Sequence, residues 1–266
     1  MDFEKIKNNI CLETEIGSGA YGTGDPSRED VDISAIAIEP LEYLLALKKW
    51  DKCYSHRPGR GPQDPSGPGD LDYLVYPLKH WMKLALNANP TALMLLWPEP
   101  HKSNEFGRYL RQNANRFVSK RIFNTYIGYA ENQRRKLITR QNPSRADIIE
   151  KYGWDTKFGM HSIRLLMQGI ELSQTGKVEV PIPSPNRETL ISIRMGEVTA
   201  DDTMKLFDEK LDELRSLEDS LQLPDSPDFE WANKTLMGEY CRFHGNRLYL
   251  ISEEFIDCEL FPSEEG

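Results

Sequence analysis

Residues 17–32, Gly-Ser-Gly-Ala-Tyr-Gly-Thr-Gly-Asp-Pro-Ser-Arg-Glu-Asp-Val-Asp, constrain this chain more than any other stretch. Before it, Ile10, Leu12, Thr14 and Ile16 share one parity, the pattern of a strand with one buried face. At its end, Val31 and Ile33 alternate with Asp30, Asp32 and Ser34, a second period of two. Gly17 allows close backbone approach to a ligand, and Gly19 and Gly22 keep the turn clear of side chains. Backbone N–H groups in such a turn cradle phosphate oxygens, and the Ser18 hydroxyl adds a donor. The second strand sends Asp30 and Asp32 to one face, about 7 Å apart along the backbone. Carboxylates so placed repel unless a cation lies between them, and hard oxygen ligands favour Mg²⁺ or Mn²⁺. A phosphate cradle beside a divalent-metal site points to chemistry on nucleoside triphosphates.

Gly17-Ser18, eleven intervening residues and Asp30-Val31-Asp32 resemble the signature of the nucleotidyltransferase superfamily typified by DNA polymerase beta. Gly-Ser-Gly-Ala-Tyr-Gly-Thr, Asp30-Val-Asp32 and Glu39-Pro-Leu-Glu-Tyr43 further resemble a bacterial and phage branch of RNA-repair nucleotidyltransferases. Asp72-Tyr-Leu-Val-Tyr-Pro-Leu78, Asn89-Pro-Thr91 and Gly153-Trp-Asp-Thr-Lys157 with Arg164-Leu-Leu fit that branch too, so the likeness covers roughly residues 10–185. Gly19 departs from it, since the branch often has a larger, frequently basic residue there. The resemblance implies an α+β fold, in which a polymerase-beta-like core (a small mixed sheet flanked by helices) is followed by a mainly helical domain. It also implies a third carboxylate from a neighbouring strand. Asp70, Asp72, Leu74 and Tyr76 share one face of the stretch before Pro77, and Asp72 lies deeper in it than Asp70.

The formal net charge of −9 argues against tight binding of nucleic acid through the whole surface. Charge is nevertheless segregated along the chain. Arg108, Arg111, Arg116, Lys120, Arg121, Arg134, Arg135, Lys136, Arg140 and Arg145 crowd the middle, which makes it the expected polyanion face, while acidic residues crowd 197–230 and the end. No apolar run reaches the length of a membrane span, and the N-terminus lacks the apolar region of a signal peptide. The expectation is a cytoplasmic protein with no membrane partner. Cys11, Cys53, Cys241 and Cys258 lie far apart, and Cys241-x-x-His244 has no second pair at ligand spacing, so zinc is not expected.

Three segments are expected: a catalytic core over 1–98, a helical substrate-binding region over 99–222, and an extension over 223–266 with a hairpin and a frayed tail. Within the core, residues 40–52 read as a helix offering Leu41, Leu44, Leu45, Leu47 and Trp50 to a core. Residues 55–69 are too rich in Pro and Gly for regular structure and read as a mobile loop, where Arg57 and Arg60 meet either substrate or solvent. Thr91 is placed to cap a short helix, and residues 103–141 read as mostly helical with a break near Asn113–Asn115. Asp155 or Thr156 caps a helix that stops at Gly176. On it, Lys157, His161, Arg164 and Gln168 fall within roughly 60° of one another, with Ile163, Leu166 and Ile170 on the opposite side. That cationic stripe is either a solvated face or a hold for a triphosphate tail or an RNA backbone. Thr199 opens a packing helix that Pro224 ends, and Gly245-Asn246 is a hairpin-turn dipeptide within 240–251.

By the resemblance, Gly17 and Ser18 hold the β- and γ-phosphates, with Lys157, His161 and Arg164 as further nucleotide contacts. Asp30, Asp32 and Asp72 are its catalytic residues and the ligands of Mg²⁺ or Mn²⁺. The expected reaction moves an NMP from an NTP to an RNA 3′-hydroxyl, a cleaved tRNA end being one candidate, and releases pyrophosphate. The motif equally suits a protein hydroxyl or a second nucleotide as acceptor, and a silent nucleotide- or RNA-binding module stays open beside these.

Overall fold

In the computed structural model, residues 3–24, 31–50, 52–58, 71–139 and 146–256 are described. The first part is built on five strands: β1 (Ile10–Ile16), β2 (Val31–Ala37), β3 (Tyr54–His56), β4 (Leu71–Pro77) and β5 (Pro100–Ser103). They form one mixed sheet in the order β3-β4-β2-β1-β5. β2 and β4 are parallel, and the other pairs are antiparallel. The short helices α1 (Phe3–Lys7), α2 (Gly17–Tyr21), α3 (Leu41–Leu44), α4 (Leu78–Leu86) and α5 (Pro90–Leu93) are interspersed. The second part is helical: α6 (Glu105–Gln112), α7 (Arg121–Thr139), α8 (Ala146–Tyr152), α9 (Thr156–Thr175), α10 (Asn186–Arg194), α11 (Ala200–Ser220) and α12 (Phe229–Ile256).

Period-two alternation marks the three central strands, but β1 breaks parity. Its register with β2 shifts between Ile10 and Leu12. An irregularity of this kind swaps faces. Ile10 therefore joins a small cluster with Phe3, Ile6, Ala35, Ala37, Trp50 and Val75, while Leu12 joins the large core on the other face. Cys11, on the polar parity of the simple pattern, is fully buried, and its thiol donates to the Ile36 carbonyl at 3.3 Å. Burial pushes that thiol well above its ordinary pKa. The large core runs without interruption from Cys11 to Ala232, through residues of all three expected segments.

Helix ends follow the caps. Asp155 accepts from the Phe158 N–H and Thr199 from the Asp202 N–H, and Gly176 ends α9 at φ +73°. Asn89, not Thr91, caps α5, accepting from the Ala92 N–H with Pro90 in the first turn.

Four expectations are corrected. The helix over 40–52 is only α3, with Leu45 at 69% and Leu47 at 99% exposure. Nothing among the described residues covers those leucines, and a short helix without a packed face does not persist. Tyr54–His56, overlapping the expected loop, is an edge strand paired with β4, whereas 59–70 lie outside the described residues. Pro100–Ser103 is likewise a strand, so the helical stretch begins only at Glu105. The last correction concerns 240–251, where α12 runs straight through Gly245-Asn246. The Tyr240 hydroxyl donates to Glu39 Oε2 at 2.7 Å and His244 Nε2 lies 2.9 Å from the Glu39 carbonyl oxygen, both contacts spanning over 200 residues. These tertiary bonds hold helix where the local dipeptide favours a turn.

Candidate functional site

Strand register assembles the site. Ile16 pairs with Asp32 across β1–β2, so Gly17, the next residue, lies beside that carboxylate. Gly17 has φ +82°, and a Cβ built on it would sit 2.6 Å from Asp32 Oδ2. Glycine is demanded both by the backbone angle and by the space. Asp32 in turn pairs with Asp72 across β2–β4. Parallel neighbours lie about 4.8 Å apart with side chains on a common face, so the two carboxylates share it. That face also carries Ile36 and Tyr76 and looks toward the large core.

Arg57, just beyond β3, brings its Nε to 2.7 Å from Asp72 Oδ1. A guanidinium drawn to this carboxylate shows that the corner attracts a cation, and the donors are hard oxygens, which fit Mg²⁺ or Mn²⁺. Asp30, expected as a ligand beside Asp32 with Asp72 as the third, lies outside the described residues, and among the described residues no group of three such side chains forms a metal cluster.

The opposite wall comes from α9. A cavity of about 120 Å³ is lined by Gly17, Tyr21, Thr91, Arg164 and Gln168, among others. The Arg164 guanidinium stacks 4.2 Å over the Tyr21 ring. Burial pulls the Arg164 pKa below its ordinary value. Arg164 Nε and the Gln168 Nε2, on a side chain only 3% exposed, have no hydrogen-bond partner among the described residues. Buried donors left without acceptors are costly, and a ligand oxygen would satisfy both. The stripe on α9 is therefore not uniformly solvated. Its second half, Arg164 and Gln168, closes over Gly17. Lys157 and His161 sit half-buried in the turns before it and do not line this cavity. Ser18 is half-buried in the first turn of α2, its carbonyl accepting from the Thr23 N–H at 2.9 Å.

In the sequence, Tyr21 stands out only as a letter of a branch motif, and Thr91 as a motif letter and a helix cap. What makes them cavity walls is the crossing of α9 over α2 and α5, which no local pattern announces. Several cations of the basic middle segment, expected as a polyanion face, pair with carboxylates. Arg116 pairs with Asp228 at 2.6 Å, Lys120 with Asp225 at 2.7 Å and Arg134 with Asp208 at 2.7 Å. Arg111 donates to the carbonyls of Leu96, Trp97 and Pro98. Asp208 of α11 and Asp225 and Asp228 of the link between α11 and α12 fold back onto cations that precede them. Arg140 and Arg145 lie outside the described residues.

The family described as the RNA repair pathway DNA polymerase beta family (RlaP) matches residues 2–238. The chain is 27% identical over 133 residues to an uncharacterized 38.9 kDa protein in the nrdC-mobD intergenic region of Enterobacteria phage T4, a match covering 47% of this chain and 38% of the phage protein. A solved nucleotidyltransferase-like protein from Exiguobacterium sibiricum 255-15 is similar over 88% of this chain and 74% of its own, at 11% identity and a TM-score of 0.29. No described helix is long and apolar enough to cross a membrane.

Proposed function

This chain belongs to the RNA repair pathway DNA polymerase beta family, and from that premise we propose that it transfers an NMP from an NTP to an RNA 3′-hydroxyl, a cleaved tRNA end being one such acceptor. The observation that carries the reading is the row made by the Gly17 backbone, just past the end of β1, with Asp32 and Asp72 on the two neighbouring strands. Asp32 and Asp72, with Asp30, are the donors that would hold Mg²⁺ or Mn²⁺, which supplies charge neutralisation of the triphosphate and a lowered pKa for the attacking hydroxyl. The Gly17 and Ser18 backbone amides and the Ser18 hydroxyl bind the outer phosphates. Arg164 and Gln168 supply further donors to the same nucleotide, which explains why they are buried without partners. Lys157 and His161 extend that contact toward the start of α9.

The 3′-oxygen attacks the α-phosphorus, the bond from that phosphorus to the bridging oxygen of the β-phosphate breaks, and pyrophosphate leaves. Asp72 takes the proton of the attacking hydroxyl once its pairing with Arg57 opens. A protein hydroxyl or a second nucleotide fits the same chemistry. RNA is favoured by the family's pathway.

The test offers α-labelled NTPs, one at a time, with short RNAs, tRNA and protein. Asp32→Asn is expected to lower transfer by about a hundredfold or more, the range set by losing a positioned electrostatic group. Arg164→Lys, which keeps charge but loses the planar fork, is expected to raise KM for NTP by about tenfold. Label found only on protein would sink the RNA assignment, and full activity in Asp32→Asn would sink the site itself.

A further inference from the structure

A second pocket lies at the other end of the same strands. It has a volume of about 230 Å³, and its polar lining comes from Glu39, Lys49, Trp50, Lys79, His80 and Lys83, beside Tyr43 and Leu44. Glu39 and Lys79 each follow by two residues the last residues of β2 and β4, whose first residues flank the carboxylate row. At about 3.3 Å per residue, the seven positions from Asp32 to Glu39 put roughly 20 Å between the two sites. A triphosphate held at Gly17 does not reach this far.

The pocket's polar groups are mostly donors. Lys49, Lys79 and Lys83 are exposed, and none is ion-paired among the described residues. Lys79 and Lys83 stand one turn apart on α4, facing the same side. Trp50 is only 8% exposed, yet its indole Nε1–H has no acceptor among the described residues. The one acidic side chain lining the pocket, Glu39, is already engaged: Oε1 accepts from the Lys79 N–H at 3.0 Å and Oε2 from the Tyr240 hydroxyl at 2.7 Å. Three ammonium groups, an imidazole and a buried indole N–H around one hollow call for an oxyanion with several oxygens. The volume falls below the roughly 300–1,000 Å³ of pockets that enclose a whole small-molecule ligand. It suits a phosphate with part of its sugar, not a complete nucleotide cofactor.

We infer that this pocket holds a backbone phosphate of the RNA acceptor strand, well away from the 3′-end that reacts. The inference rests on the RNA reading of the catalytic site. It also supplies what the middle segment lacks, since several cations there are already paired with carboxylates.

The experiment measures binding of a fluorescent single-stranded RNA to the full chain across a salt series. Lys79→Gln/Lys83→Gln is expected to weaken binding by about tenfold and to flatten the plot of log K against log salt by about 0.7 for each phosphate no longer neutralised. Trp50→Phe, which keeps an aromatic ring but removes the N–H, weakens it by about threefold or more. Lys48→Gln is the neighbouring control, because Lys48 is paired with Glu42 at 3.2 Å and does not line the pocket. Should the double variant melt at lower temperature, Lys49→Gln on the exposed turn after α3 reads the same weakening. Unchanged affinity and slope in these variants overturn the inference. So does inorganic phosphate that quenches Trp50 emission without being displaced by RNA, which would assign the pocket to a free anion. The readout needs no turnover, so loss of transfer in Asp32→Asn with RNA binding kept reports on the catalytic reading alone.

Discussion

Gly17→Ala tests the geometry of the carboxylate row most directly. Alanine at φ +82° would have to adopt the left-handed region, at a cost of about 1–2 kcal/mol. Its Cβ would stand 2.6 Å from Asp32 Oδ2, whereas ordinary contact begins at 3.4 Å, so the carboxylate must retreat by about 0.8 Å (3.4 − 2.6). Asp32 is short, and its oxygens are the donors proposed to hold the metal, so it cannot yield without moving the proposed site. A misplacement near 1 Å costs on the order of a hundredfold in rate, or about 2.7 kcal/mol of transition-state stabilisation. The backbone strain should lower the melting temperature by about 2–4 °C per kcal/mol. The assay is kcat/KM for Mg²⁺-dependent label transfer, with thermal unfolding measured in parallel. Gly19→Ala is the matched control: its Cβ would meet the Glu15 carboxylate, the far end of a flexible side chain, and its φ is not positive. It lies inside α2, where alanine favours helix by about 0.5–1 kcal/mol. Wild-type kcat/KM in Gly17→Ala refutes the reasoning, and equal damage from Gly19→Ala refutes its steric basis.

Two further outcomes are expected. Burial raises the Glu39 carboxyl above its ordinary 4.5, so the folded state favours its protonated form. Its contribution to stability is full below pH 4.5 and is lost as pH rises through the higher folded value, so the wild-type melting temperature should fall relative to that of Glu39→Gln over that interval. Parallel pH profiles for the two proteins would contradict this. Arg111→Lys should cost about 1–3 kcal/mol in urea unfolding, because lysine cannot serve the carbonyls of Leu96, Trp97 and Pro98 together. The salt slope of RNA binding should not change, and a flatter slope would make Arg111 a phosphate contact instead.

Much of the strand geometry around the candidate site was legible because its determinants are local. Alternating residues laid out β1, β2 and β4, and the parity of Asp32 and Asp72 put each on a definite face of its strand before their pairing was known. Asp155, Gly176 and Thr199 announced helix ends through groups that bond within a turn. The same locality explains the failures. Leu45 and Leu47 carry a helix-like pattern with nothing among the described residues to pack against, and the irregularity beside Cys11 comes from fitting β1 to its neighbour.

By itself, then, the sequence determined the strand faces, the helix caps and the glycine turn. Sterics and hydrogen bonds over a few residues dictate these whatever the rest of the chain does. The tertiary structure alone decided where charge is spent. It sent Asp208, Asp225 and Asp228 back onto Arg134, Lys120 and Arg116, tied Tyr240 to Glu39, and laid Arg164 over Tyr21. It also left Lys49, Lys79 and Lys83 together without carboxylate partners among the described residues. Coulomb and hydrogen-bond energies depend on distance in space and on exclusion of water, and a partner 112 residues away, as Asp228 is from Arg116, has no local trace in the order of amino acids.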